Sequence, residues 1–329
     1  MRIVSLLPST TEIAAALGFA DALVGRSHEC DFPEGINTRP ALTRPKYPQQ
    51  NNSAATDREV KNLLEQGLSV YEVDADKLSA LKPDIILTQD HCEVCAASLS
   101  DVTEALRSYT HTDSVEVISV SPVSLNGIFE SFLTIGKALN APEKAKELVI
   151  EIRERLDIIR NTVHGEAKRS VATIEWIDPL MTAGNWIPEI TNIAGGEHLI
   201  AEAGKHSPWL KWETVLECDP DVLLVMPCGY SFEQSEKELH LLTDKPGWND
   251  LRAVQDGELY LLEGNQYFNR PGPRIFESTR ILAEILHPGL FEPIHRAVGW
   301  KSFEKQGSKI VNRRNEEITN GGCRRSTKF

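Results

Sequence analysis

Apolar and polar positions follow two alternating rhythms along this chain. Ile3-Val4-Ser5-Leu6-Leu7 is a short run with the look of a buried strand, closed by Pro8. Ser9 or Thr10 then caps a helix, with Glu12 near its first turn, that runs through alanines to Gly18. Extended segments follow at Val24-Gly25-Arg26 and Val70-Tyr71-Glu72-Val73, with a helix expected over 56–66. A short helix over 76–81 is stopped by Lys82-Pro83, and the apolar run Ile85-Ile86-Leu87 is a further strand. A helix over 98–106 and a strand over 116–120 complete this alternation, which predicts a parallel-rich sheet covered on both faces.

The next stretch is helical only. Residues 125–139 repeat apolar positions at helical spacing, and Pro142 marks the start of a second helix reaching residue 163. There Leu148, Ile152, Leu156 and Ile159 share one face, while Lys146, Arg153, Glu154 and Arg160 supply the wet side. At 1.5 Å per residue such a helix spans roughly 30 Å, enough to cross the side of a small domain.

The first rhythm then returns. Arg169-Ser170-Val171-Ala172-Thr173-Ile174 corresponds to the opening strand, and a helix from Pro188 ends at Gly195-Gly196 as the first ends at Gly18. Leu81-Lys82-Pro83-Asp84 before an apolar run has its counterpart in Cys218-Asp219-Pro220-Asp221. Helices are expected over 213–217, 232–242 and 273–286, and strands over 222–225 and 258–262. The chain therefore reads as an α/β protein of two similar Rossmann-like lobes facing each other across a cleft, the kind of place that binds ligands. The expected divisions are an N-terminal lobe over 1–120, connecting helices over 121–165, a C-terminal lobe over 166–290, and a basic, partly disordered tail over 291–329.

Composition narrows the partners. The formal net charge of −13 over 329 residues disfavours nucleic acid and anionic membrane surfaces. No apolar run reaches the 18 residues of a membrane span. Met1 to Pro8 are strand and turn material rather than a secretory signal, and six scattered cysteines suit a reducing compartment. A cytoplasmic monomer is thus expected, with a periplasmic or extracellular location as the alternative if a signal has been truncated. Phosphate-loop, dinucleotide and Gly-x-Ser-x-Gly signatures are missing, which lowers the case for an enzyme.

The candidate chemistry lies in loops. His91, Cys92 and Cys95 form the strongest local cluster, since two cysteines three apart suit a soft metal or a reactive thiol pair; His28 and Cys30 complete a ligand set if the two loops meet. A capped loop with semi-buried cysteines is the alternative. Glu12, Asp90, Glu93 and Glu175 read as helix-cap or surface carboxylates rather than a catalytic pair. Trp186, Trp209, Trp212, Tyr230, Tyr267 and Phe268 lie in or beside loops, where rings can rest on a flat ligand. The run from Asn265 to Arg270 adds amides and a guanidinium to that aromatic set.

These stretches resemble the substrate-binding proteins of iron-siderophore and vitamin B12 ABC importers, the class III periplasmic-binding-protein-like group with a long rigid backbone helix between lobes. The likeness is greatest to the cobalamin-binding branch. It runs over Arg2 through Gly18, Gly25 through Pro33, Leu81 through Asp84, Gly184 through Gly196, Pro208-Trp209 through Pro220-Asp221, and Tyr267 through Arg274. The resemblance implies a non-catalytic protein that holds a small-molecule metal chelate between its lobes, most simply cobalamin or a related corrinoid, with no cofactor of its own. On the first lobe it points to Pro8, Ser9, His28, Cys30, Gln89, His91 and Cys92. On the second it points to Trp186, Trp209, Tyr230, Asn265, Tyr267, Phe268 and Arg270. Cobalt can accept an imidazole or thiolate, so His28, His91, Cys92 and Cys95 are the candidate metal contacts. Uptake, storage and sensing all fit such binding. The alternatives are a siderophore, haem or bare-metal binder, and an enzyme acting on a corrinoid or metal chelate. An ABC permease is the implied partner, with Glu93 and Glu233 or Glu236 as candidate docking carboxylates.

Overall fold

Val4 and Ile86 lie side by side in neighbouring parallel strands, both fully buried, and the first lobe is assembled around that pairing. The structure, a computed structural model, describes residues 1–48, 50, 52–66, 68–89, 99–107, 115–306 and 309–312. The first sheet is built from β1 (Ile3–Ser5), β2 (Leu23–Arg26), β5 (Ile85–Gln89) and β6 (Glu116–Val120), all parallel, in the order β2-β1-β5-β6. Helices α1 (Pro8–Ala14), α3 (Ala75–Leu81) and α4 (Leu99–Arg107) connect and cover it. A small antiparallel pair, β3 (Thr43–Pro45) and β4 (Tyr71–Val73), carries α2 (Ser53–Glu65), with Val60, Val70 and Tyr71 as its apolar filling.

Two helices leave this lobe. They are α5 (Leu125–Ala138) and α6 (Pro142–Thr162), the latter a single 21-residue helix. The second sheet contains β7 (Arg169–Ile174), β8 (Gly196–His198), β9 (Val222–Val225) and β10 (Leu259–Leu262), parallel to one another. Its helices are α7 (Ile187–Ile193), α8 (Trp212–Cys218), α9 (Phe232–Glu238), α10 (His240–Thr243), α11 (Arg252–Gln255) and α12 (Ile275–Leu286).

The expected duplication is visible in topology and in detail. The second sheet runs β8-β7-β9-β10, the same winding as β2-β1-β5-β6. In both lobes the helix before the third strand ends on a left-handed residue, Lys82 (φ 46°) or Asp219 (φ 40°), followed by Pro-Asp. That aspartate then caps the opening strand: Asp84 accepts the Arg2 amide at 2.7 Å, and Asp221 accepts the Ser170 amide at 2.7 Å. Gly18 (φ 90°) and Gly195 (φ 84°) occupy corresponding left-handed turns, a conformation that glycine adopts without steric cost.

The second lobe does not end at residue 290. Antiparallel strands β11 (Trp300–Gln306) and β12 (Lys309–Asn312) extend its sheet beyond β10. The attachment is a buried carboxylate: Glu284 of α12 accepts the Trp300 indole N–H at 2.9 Å and lies 2.8 Å from His295 Nδ1. The expected helix over 232–242 is broken at Leu239 into α9 and α10.

A single apolar cluster joins everything. Ile3, Leu17 and Leu87 from the first lobe, Phe132 and Leu156 from the connecting helices, and Val171, Leu224 and Leu262 from the second belong to one buried core. Each lobe keeps a further core on its outer side, around Val4, Leu78 and Ile86 in one and Leu223, Trp248 and Phe303 in the other.

Candidate functional site

The strands of both sheets deliver their following loops to the junction between lobes. From the first lobe come the start of α1 and the loop 27–33; from the second come the loops after β7 (175–186), β9 (226–231) and β10 (263–274). Among the described residues the lobes touch there at a floor and at a rim.

The floor is ionic. Arg270, only 4% exposed at its side chain, donates to Glu12 at 3.2 Å and to Asp31 at 2.5 and 3.1 Å. Arg274 adds two donations to Glu12, at 2.9 and 2.6 Å, and lies over the Phe32 and Tyr267 rings. Burial opposes the charge of Arg270, but the carboxylates of Asp31 and Glu12 outweigh it and hold the guanidinium above its ordinary pKa. The backbones meet closely here too, since a Cβ on Gly272 would sit 3.6 Å from Ser9 Cα.

The rim is formed by α2 and the second lobe. Glu238 accepts the Ser53 amide at 2.9 and 3.0 Å and bonds the Ser53 hydroxyl, so a carboxylate of one lobe caps a helix of the other. Beside it the Tyr230 hydroxyl bonds Thr56, and the Lys61 ammonium stands 5.1 Å from the Trp209 ring. Burial and the nearby Glu238 charge push Tyr230 up to about 12, so it stays protonated.

Aromatic rings and carboxylates occupy the ground between. His28 packs on Tyr71 at 5.5 Å, and Trp176 meets Tyr230 edge-on at 5.4 Å. Glu29 keeps 34% of its side chain open to solvent, yet burial pushes its carboxyl up to about 7, against the pull of Arg270 and a hydrogen bond from Tyr71. Wet but crowded is what a group lining a narrow crevice experiences. Glu263 is likewise raised by burial, opposed by the Phe232 amide and Arg270.

The sequence-predicted residues divide accordingly. Tyr230, Asn265, Tyr267 and Arg270 sit at the junction, with Asn265 accepting from Arg270 at 3.3 Å. Trp209 is 59% exposed at the rim. Pro8 and Ser9 open α1 and are buried under the Gly272 loop; the Ser9 hydroxyl has no partner among the described residues. Gln89 closes β5 and is buried. Phe268 is a correction: the Gly264–Phe268 turn is one wide helical coil that swings the ring fully into the shared core. Trp186 lies in that core as well, at the start of α7, its indole N–H unpartnered among the described residues. Cys30 is a second correction. Its thiol is buried and points inward to Thr11 at 3.1 Å, away from the crevice, and burial pushes it up to about 11.

His91, Cys92 and Cys95 lie outside the described residues, as do Asp90 and Glu93. Among the described residues no group of three or more histidine, cysteine or acidic side chains could hold a metal ion. Of the proposed docking carboxylates, Glu233 pairs with Lys237 at 2.9 Å and Glu236 with Lys301 at 3.0 Å. Sequence reading missed Tyr71, Trp176, Asp31, Glu238 and Arg274 as junction residues. Arg274 and Asp31 lay within the resembling stretches, whereas Glu238 looked like one more surface charge on an acidic helix.

Two wound α/β lobes with a shared helical spine and converging loops make a junction suited to holding a ligand. The chain belongs to the periplasmic binding protein family, whose model matches residues 3–265. It is 26% identical over 300 residues to an uncharacterized ABC transporter substrate-binding lipoprotein, YvrC, of Bacillus subtilis, covering 88% of this chain and 81% of that one. A vitamin B12-binding protein of Vibrio campbellii is 22% identical over 289 residues, covering 86% and 88%. Among solved structures, a periplasmic heme-binding protein from Pseudomonas aeruginosa superposes with a TM-score of 0.65 at 20% identity, covering 88% and 93%.

These matches correct the expected location. The family is one of periplasmic binding proteins, which favours the periplasm over the cytoplasm. The opening strand and the unpaired cysteines on which the cytoplasmic reading rested carry no address; Cys30 is unpaired and buried inside a lobe. Among the described residues no helix is long and apolar enough to cross a membrane.

Proposed function

We propose that this protein binds a metal chelate between its lobes and presents it to an ABC permease, and that within this class its cargo is a corrinoid. One observation carries the choice of cargo. Both arginines at the junction, Arg270 and Arg274, are already neutralised by Glu12 and Asp31. Glu29 and Glu263 add further acid beside them. An anionic catecholate siderophore, or a porphyrin carrying carboxylates, finds both of these arginines already paired and meets the carboxyl groups of Glu29 and Glu263 beside them. An amide-rich, neutral or cationic corrinoid suits tyrosine, tryptophan and amide surroundings, where flat apolar area and hydrogen bonds act together. The vitamin B12-binding relative supports the same choice.

The test is retention. Purified protein is equilibrated separately with cyanocobalamin, hemin and a ferric hydroxamate, then passed through a desalting column, and the protein peak is scanned for visible absorbance. Cyanocobalamin in the peak is the expected result. Hemin or the hydroxamate alone moves the cargo elsewhere among metal chelates, and a colourless peak in all three overturns cleft binding.

A further inference from the structure

We infer that His28 is an axial ligand to the metal of the bound chelate, presenting a bare Nε2 lone pair at the lobe junction. The inference rests on the chelate-binding reading above and sharpens it.

The argument is a count of hydrogens. Thr43 Oγ1 donates its single hydrogen to Ser27 Oγ at 3.0 Å. It accepts the backbone N–H of His28 at 3.0 Å. With that hydrogen spent, the 2.7 Å contact between Thr43 Oγ1 and His28 Nδ1 can only be a donation from the ring. The proton of the neutral imidazole therefore sits on Nδ1, and the lone pair sits on Nε2. Nε2 makes no hydrogen bond among the described residues and lies 4.0 Å from Glu29 Oε1, beyond hydrogen-bond length. The ring is steadied from one side by Tyr71, while 30% of the side chain stays open to solvent. Three residues along the same loop, Asp31 grips Arg270 of the other lobe, which places His28 at the junction. An imidazole held through one nitrogen and left bare at the other is how proteins present histidine to a metal.

The geometry also restricts the cargo. Among the described residues no group of three histidine, cysteine or acidic side chains could hold a metal ion, so His28 suits a metal that arrives with its own equatorial ligands. It must also have an exchangeable axial position. Planar macrocyclic chelates meet both conditions, whereas an iron ion fully enclosed by a hexadentate siderophore meets only the first. The step is a simple exchange: the Nε2–metal bond forms, a metal–water bond breaks and the water leaves, with no proton or electron transferred.

The probe is diaquacobinamide, a corrinoid with two exchangeable waters and no nucleotide base. On binding to the full-length protein its visible bands should move to the imidazole-ligated position. After reduction to cobalt(II), the paramagnetic resonance spectrum should show splitting by one nitrogen. His28→Gln, which keeps a donor for Thr43, should abolish both signatures and weaken cobinamide binding on the order of tenfold or more. Cyanocobalamin, whose axial positions are filled, should lose far less affinity than cobinamide on the same substitution. Cobinamide that binds wild type with an unchanged aqua spectrum, or nitrogen splitting that survives His28→Gln, overturns the axial role and leaves cleft binding standing. Failure of both corrinoids to bind overturns the cleft reading and the axial role together.

Discussion

The guanidinium of Arg270 donates to the carboxylate of Glu12 at 3.2 Å, although 258 positions separate them in the chain. This contact sews the loop after β10 onto the first helix of the other lobe, and both partners are almost wholly buried. Removing Arg270 takes the partner from Asp31, leaves Glu12 with Arg274 alone and breaks a buried charge network. Arg270→Met should therefore cost about 3–5 kcal/mol in urea unfolding. The double variant Arg270→Met with Glu12→Gln should cost less than the sum of the two single changes, because both disrupt the same network. Full additivity of the two single changes would show that the pair is not coupled.

At the rim, Glu238 caps the first turn of α2 from the opposite lobe through the Ser53 amide and hydroxyl. A hydrogen bond to a charged group contributes about 1.5–3 kcal/mol. Glu238→Gln keeps the shape and removes the charge, so amide exchange at Ser53 should accelerate on the order of tenfold while exchange in β1 and β7 is unchanged. An unaltered Ser53 rate would mean the cap does not hold the lobes together.

The strand-capping aspartates offer an internal comparison. Asp84 accepts the Arg2 amide and is largely exposed, whereas Asp221 accepts the Ser170 amide and hydroxyl and pairs with Arg252 at 2.7 Å. Burial raises the Asp221 pKa, but the Ser170 bonds and Arg252 outweigh it and leave the group below its ordinary value. Asp84→Ala should cost about 1 kcal/mol and Asp221→Ala about 2–3 kcal/mol, measured by chemical denaturation at neutral pH. Equal losses would contradict the difference in partners.

Glu29 sets a pH dependence of unusual sign. Its carboxyl titrates near 7 in the folded chain, well above its ordinary value of 4.5. Between those values the folded state holds more protons than the unfolded one, so stability from this group is complete below the lower value and is lost as pH rises through about 7. His198, which burial pushes down to about 4, acts in the opposite direction. The difference between wild type and Glu29→Gln isolates Glu29. From about pH 5 to about pH 8 the melting temperature of wild type should fall relative to the variant. Parallel profiles would remove the shift.

Cysteine labelling separates buried from accessible thiols. Cys30 is buried with its pKa near 11, while Cys218 and Cys228 are half-buried. Iodoacetamide on the native protein should modify Cys218 or Cys228 and spare Cys30 until unfolding, as read by peptide mass spectrometry. Early labelling of Cys30 would place that loop outside the fold.

Much of the architecture could be read from the chain because each lobe repeats one local programme. An apolar run, a capped helix and a Pro-Asp turn before the next apolar run are strong short-range signals, and they recur 137 positions apart at Asp84 and Asp221. Signals that depend on distant partners were silent. Trp300 and Lys301 looked like the start of a basic tail because nothing nearby announces that Glu284 will receive the Trp300 indole. Phe268 looked like a ligand contact because a loop aromatic beside amides reads the same whether the turn throws it outward or inward. Glu238 and Asp31 were unreadable as lobe contacts, since their partners lie 185 and 239 positions away. The fold is thus written in local repetition, and the chemistry of the junction in pairs that lie far apart along the chain.

The apolar cluster that runs from Ile3 through Phe132 and Leu156 to Leu224 has a further meaning. Neither half owns its inner wall, so splitting the chain at the connecting helices would strand oily faces on both fragments. Heating should consequently produce one sharp calorimetric event in place of two, and separately expressed halves should clump rather than fold.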